Sequence, residues 1–177
     1  LCDKNIQLVV LAALADIMPM KNENRLFVGH ALKTMHTKGP VPGLAELFSK
    51  LSLDFHWVSS KDLGWTVIPA LNASGRMGQP NLSLELLVSE NPQEREALSS
   101  KIIDLNEMRK NLVTDAQLKT EYMVSDSIKQ FNNKLCVVVD STIHKGVTGI
   151  LANKIMNTHS VPSLAITETD GVYAGSM

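Results

Sequence analysis

Apolar residues recur at helical spacing over most of the chain and change to a strand pattern only towards its C-terminal end. Leu8, Leu11 and Ala15 define a first helix that Asp3 is placed to cap and Pro19 to stop. Its apolar run from Leu8 to Ala15 is nearly unbroken, which predicts burial on all sides. Leu26, Phe27, Ala31 and Met35 predict a second helix from about Glu23 to the Gly39-Pro40 pair. Pro42 opens a third through Leu44, Leu47 and Leu51, at the first-turn position where a missing N–H does no harm. Ser59 or Ser60 is placed to cap the next, which leads into Pro69-Ala70-Leu71-Asn72.

A longer helix follows. Asn91-Pro92-Gln93-Glu94 supplies an N-cap, a proline at the first helical position and an acid two residues on. Leu98, Ile102, Leu105, Met108 and Leu112 then form one apolar stripe on a charged rod, whose charges read as a solvated face. Carried to Phe131 it would span roughly 60 Å at about 1.5 Å per residue, which predicts a connector between two bodies. Beyond it, the run from Leu135 to Asp140 has the composition of a buried strand. A helix from about Val147 to Met156 and a strand at Ser163–Thr167 come next. Asp170-Gly171 then turns the chain into a hairpin strand, Val172-Tyr173-Ala174. The fold class expected is α/β, in three blocks: short helices over 1–90, a long helix over 91–133, and the start of a strand–helix–strand–strand domain over 134–177.

Composition narrows the function classes. With 44% hydrophobic and 20% charged residues in 177, and a mean hydropathy of +0.01, the chain is of globular type and not disordered. Seventeen basic against eighteen acidic residues give a net charge of -1, so nucleic-acid binding would need a local basic patch. Cys2 and Cys136 are too few for a disulfide framework or a cysteine-ligated zinc site and fit a reducing cytoplasm. The Leu8–Ala15 run is far shorter than the roughly 20 residues of a membrane span, and no signal-peptide pattern occurs. The start on Leu1 without an initiator Met, and the stop at Met177 after a short apolar segment, lead us to expect a piece of a longer protein.

Three places could carry chemistry. Asp16 ends an apolar helix expected to be buried, so its carboxylate is either bonded to backbone N–H groups or a ligand for a hard divalent cation. One carboxylate cannot build a metal site, and His30, His36, His56, His144 and His159 form neither an HxH nor an HExxH pattern. The small polar stretch from Asn72 to Gly78, between apolar helices, is either an ordinary turn or a backbone approach for an anion that Arg76 would clamp. The segment from Asp140 to Gly149 joins a strand to a helix N-terminus, with His144, Lys145 and Gly146 along it. It reads as an anion site or simply as a helix cap. Trp57 and Trp65 could stack on bases, but their apolar surroundings place them in the core.

Taken in order, several stretches resemble the RecJ family of single-strand-specific exonucleases, within the DHH phosphoesterase superfamily. They are Leu8 to Met20, Glu23-Asn24-Arg25, Pro69 to Met77, His144 to Ala152 and Gly175-Ser176. The resemblance implies the C-terminal helical part of a DHH domain over 1–90, a connecting helix over 91–133 and the first βαββ part of a DHHA1 domain over 134–177. It implies stepwise 5′-to-3′ hydrolysis of single-stranded DNA to mononucleotides, in recombination and repair, with two Mn²⁺ or Mg²⁺ ions activating water. Asp16 falls on the last metal-binding aspartate of the family. Asn72 and Arg76 fall on a segment beside the substrate. His144, Gly146 and Ser176 fall on positions that hold the nucleic-acid backbone and the 5′ end. A single-strand-binding protein and a helicase are the implied partners, in the cytoplasm and with no membrane.

The departures also matter. Gln7 stands where the family commonly has Asp, Ala13 where it has Thr, Ala70 and Lys154 where it has Arg, and Lys145 where it has Pro. Ala70 removes a phosphate contact. The first Asp-rich motif and the DHH triplet would lie before Leu1 and the GGGH-type motif beyond Met177, so the chain alone is expected to be inactive. Two rival readings are a different DHH phosphodiesterase, cleaving short oligoribonucleotides or cyclic dinucleotides, and a non-catalytic scaffold of RecJ type.

Overall fold

The computed structural model describes residues 3–177, with side chains from Asn5 onward. Cys2 and the cap expected of the Asp3 side chain lie outside the described residues. The chain divides into two compact units, one comprising the chain up to Gly75 together with Gln79–Asn106, the other Arg76–Gly78 with Glu107–Met177.

The first unit is helical. It holds α1 (Asp3–Ala15), α2 (Asn22–Lys38), α3 (Pro42–Lys50), the single turn α4 (Ser60–Asp62), a π-helical turn (Leu63–Val67), most of α5 (Ile68–Arg76), α6 (Asn81–Val88) and the first part of α7 (Pro92–Gln130). Helix α1 is buried along one face only, at Ile6, Gln7, Val10 and Leu11, while Val9, Ala12 and Ala15 reach solvent. The all-round burial expected of it is therefore corrected. On α2 the inward stripe is Val28, Ala31, Thr34 and Met35, and Leu26 points out. Phe48, Met35, Leu44 and Leu47 are the largest fully buried side chains of this core, each stabilising by roughly 1.5–3 kcal/mol. Leu86, on a helix that the sequence reading did not resolve, completes it. Gly43 permits the close approach of α3 and α6, since a Cβ there would stand 2.1 Å from the Leu86 carbonyl oxygen.

Two sequence expectations fail between Trp57 and Arg76. The stretch from Asn72 to Arg76 is helix, not turn, and the turn comes only at Met77-Gly78. Trp57 and Trp65 are 84% and 80% exposed, so neither is core. Ser59 is the cap, in a complete capping box with Asp62. The wider π winding falls just ahead of Pro69, whose ring cannot fit a regular α-turn.

In the second unit, the later part of α7 supplies Val113, Ala116 and Val124 to a core shared with Val138, Val147, Leu151, Ile155 and Ala165. The order there is β1 (Cys136–Val139), a 3₁₀ turn (Lys145–Val147), α8 (Thr148–His159), β2 (Ser163–Thr169) and β3 (Val172–Ser176). Strand β1 runs parallel to β2, Cys136 opposite Ser163, and β2 runs antiparallel to β3, Ala165 opposite Ser176. Asp170 and Gly171, at φ 53° and 76°, make the primed two-residue turn that a right-twisted hairpin favours. The whole is mostly helical with a small mixed three-stranded sheet, an α/β arrangement.

Candidate functional site

Asp16 follows the last residue of α1 and is exposed, contrary to the burial expected of it. Its main chain closes a Schellman motif: Ile17 N–H donates to the Leu14 carbonyl at 3.2 Å and Met18 N–H to that of Ala13 at 3.0 Å. Ile17 occupies the left-handed position at φ 52°, a conformation that β-branched residues rarely adopt. The segment is closed further on by the Asn24 side chain, which donates to the Pro19 carbonyl at 3.1 Å. This local network fixes the backbone that carries the carboxylate and leaves the carboxylate itself to solvent.

Asn72, on α5, is exposed and lines a groove of about 520 Å³ whose other walls include Leu8, Ala12, Ala15 and Gly75. In the first unit, Asp16 and Asn72 are thus both at the surface. Among the described residues no three histidines, cysteines or acids come together as a metal cluster. Asp16 offers a single carboxylate where a two-metal centre needs several ligands, so the described residues do not by themselves fit the metals.

The second unit brings four of the expected residues, Arg76, His144, Gly146 and Ser176, into two hydrogen-bonded groups along one segment of chain. Arg76 Nη1 donates to the Gly146 carbonyl at 3.1 Å, across 70 positions of sequence. Gly146 N–H donates to His144 Nδ1 at 3.1 Å, and Val147 N–H to the His144 carbonyl at 3.0 Å. The Thr148 hydroxyl donates to the Lys145 carbonyl and shares a 3.1 Å hydrogen bond with Ser176. Upstream, the Asp140 carboxylate accepts from Thr142 N–H at 2.7 Å and so forms the turn that leads out of β1. His144 is half-buried, Lys145 and Arg76 are exposed. A lysine and an imidazole thus stand on a loop whose backbone is held at both ends, with the Arg76 guanidinium of α5 bonded to it.

Arg109, on α7, was missed by the sequence reading. Burial and, secondarily, the nearby charge of Arg76 lower the pKa of its guanidinium, and Glu107 opposes the shift. The signal was present: Arg109 sits four residues after Leu105 and four before Val113, on the buried stripe of the helix, where Met108 is instead half exposed.

No family model matches the chain. Individual relatives do, and they are nucleases. The sequence is 30% identical over 176 residues to the single-stranded-DNA-specific exonuclease RecJ of Bacillus subtilis, covering 98% of this chain and 22% of that protein. It is 26% identical over 175 residues to RecJ of Escherichia coli, covering 97% of this chain and 30% of the relative. Among solved structures, RecJ of Thermus thermophilus in complex with Mg²⁺ superposes with a TM-score of 0.77 at 24% identity, over 94% of this chain and 26% of the other. A Mn²⁺ complex of the same enzyme gives the same score. The chain is therefore similar to RecJ exonucleases over nearly its whole length, and it spans less than a third of the length of these relatives.

Proposed function

We propose that the chain is part of a RecJ-type exonuclease that hydrolyses single-stranded DNA stepwise from 5′ to 3′ with Mn²⁺ or Mg²⁺. In this reading residues 1–90 are the helical end of a DHH domain, 91–133 the connecting helix and 134–177 the start of a DHHA1 domain. Asp16 is one metal-ligating, catalytic carboxylate. Asn72, Arg76, His144, Gly146 and Ser176 belong to the substrate track. The setting is DNA recombination and repair in the cytoplasm, alongside a single-strand-binding protein and a helicase.

The observation that carries this reading is the similarity to single-stranded-DNA-specific exonucleases over 97–98% of the chain. The contacts of Arg76 and His144 with Gly146, and of Ser176 with Thr148, support it, because residues far apart in sequence converge on the segment from His144 to Thr148. A polar, cationic loop of that kind suits a sugar–phosphate backbone, to which half or more of protein–DNA hydrogen bonds are made.

The isolated 177 residues should release no nucleotides from a single-stranded oligonucleotide in Mn²⁺, because one carboxylate does not assemble the metal centre. Robust turnover would refute the assignment of the chemistry to the longer protein. In that longer protein, Asp16→Ala should abolish metal-dependent cleavage; retained cleavage would remove Asp16 from the site.

A further inference from the structure

Gly146 is engaged on every side. Its N–H is spent on His144 Nδ1 and its carbonyl on Arg76 Nη1, both at 3.1 Å. A Cβ on Gly146 would stand 2.0 Å from the Arg76 carbonyl oxygen and 3.2 Å from His144 Cε1. The glycine thus lets the Arg76 backbone approach on one side and the imidazole on the other. A backbone N–H can only donate, so Nδ1 of His144 must present its lone pair, and the single proton of the neutral ring then sits on Nε2. The opposite tautomer would set Nδ1–H against Gly146 N–H.

We propose that Arg76 and Gly146 form a latch that fixes His144 in the Nε2–H tautomer, so that His144 meets the DNA backbone as a neutral hydrogen-bond donor. Arg76 is then a positioning residue that acts through the Gly146 carbonyl, in addition to any charge it offers the strand. The loop has the means to keep this geometry. Val147 N–H and the Thr148 hydroxyl tie down the carbonyls of His144 and Lys145, leaving the Gly146 carbonyl to the guanidinium. The donor role rests on the functional reading of His144 given above; the tautomer rests on the geometry alone.

Side-chain ¹H–¹⁵N correlation spectra of the ¹⁵N-labelled 177-residue chain test this, recorded about two units above the ordinary imidazole pKa of about 6.5. The expected result is a protonated Nε2, a bare Nδ1, and a through-hydrogen-bond coupling between the Gly146 amide nitrogen and His144 Nδ1. Arg76→Ala should lose the coupling and average the tautomers, and Arg76→Lys should keep them. An absent coupling or an Nδ1–H ring in the unmodified chain overturns the latch, even if Arg76→Ala fails to fold. A folded Arg76→Ala chain with the coupling intact overturns the part given to Arg76. On addition of an unlabelled oligodeoxythymidylate the Nε2 proton should shift; a silent Nε2 beside an intact coupling overturns the donor role and the substrate contact but not the tautomer.

Discussion

Ile17 holds a left-handed conformation at φ 52° while 88% of its surface is exposed, so it pays a steric penalty of about 1–2 kcal/mol with almost no burial in return. Glycine is the residue that helix C-termini of this geometry favour. Ile17→Gly should therefore raise the unfolding free energy of the chain by about 1 kcal/mol, read from urea denaturation; a loss of stability would mean that the Ile17 side chain makes a contact the geometry does not show. The neighbouring Asp16 is different in kind. Its exposed carboxylate makes no hydrogen bond or ion pair among the described residues, so Asp16→Ala should change stability by no more than about 0.5 kcal/mol. Among the described residues, no contact accounts for an acid at this apolar helix end. Cys136 makes the contrast. It is wholly buried, burial pushes its thiol up, and the Ser127 hydroxyl only partly offsets that, so it has the character of an inert core thiol.

At the scale of elements, the capping box at the head of α4 carries a pH signature. The Ser59 hydroxyl and its N–H, in that order, hold the Asp62 carboxyl below its ordinary value. A depressed carboxylate contributes stability that is complete above its unfolded pKa of about 3.9 and is lost as pH falls through the lower folded value. Ser59→Ala should thus cost about 1 kcal/mol at neutral pH, and the gap to the unmodified chain should narrow on acidification below about pH 4. A gap that stayed constant down to strong acid would show that the carboxylate has no part in it. Gly43→Ala, where α3 meets α6, should cost at least about 1–3 kcal/mol in thermal or urea unfolding, because the obstruction at 2.1 Å is backbone and cannot swing away. These elements also show what the sequence could express. The start of α7 and the Asp170-Gly171 hairpin were legible because their signals are local: Asn91 accepts from Gln93 N–H at 2.9 Å, and the hairpin needs two residues with positive φ. Trp65 is not core because apolar neighbours in sequence do not fix which way a side chain points: Leu63, Val67 and Ile68 turn inward around it and the indole faces solvent. The stretch from Asn72 to Arg76 looked like a loop because it is small and polar. It is helix because Ala73 and Ser74 are buried and the Ser74 hydroxyl is satisfied by the Leu71 carbonyl at 2.8 Å. The Arg76–Gly146 contact, between residues 70 positions apart, leaves no periodic trace at all; the motif resemblance named both residues without showing that they touch.

For the whole molecule, a net charge of -1 supplies no general positive field, so on the proposed reading affinity for a DNA strand would have to come from the few cations placed at the loop. Each phosphate neutralised on a single strand contributes about 0.7 to the slope of log affinity against log salt. Lys145 is exposed beside the His144 cap, so on the proposed reading it is placed to add one such contact. If His144 meets the strand as the uncharged donor proposed above, it would add binding energy without releasing a counterion. Lys145→Ala should therefore flatten the salt dependence of oligodeoxythymidylate binding by about 0.7, whereas His144→Gln should weaken binding at every salt concentration with the slope unchanged. Fluorescence anisotropy across a potassium chloride series separates the two. A slope reduced equally by His144→Gln would show a cationic imidazole on the strand, and a slope unmoved by Lys145→Ala would take the lysine off the DNA path.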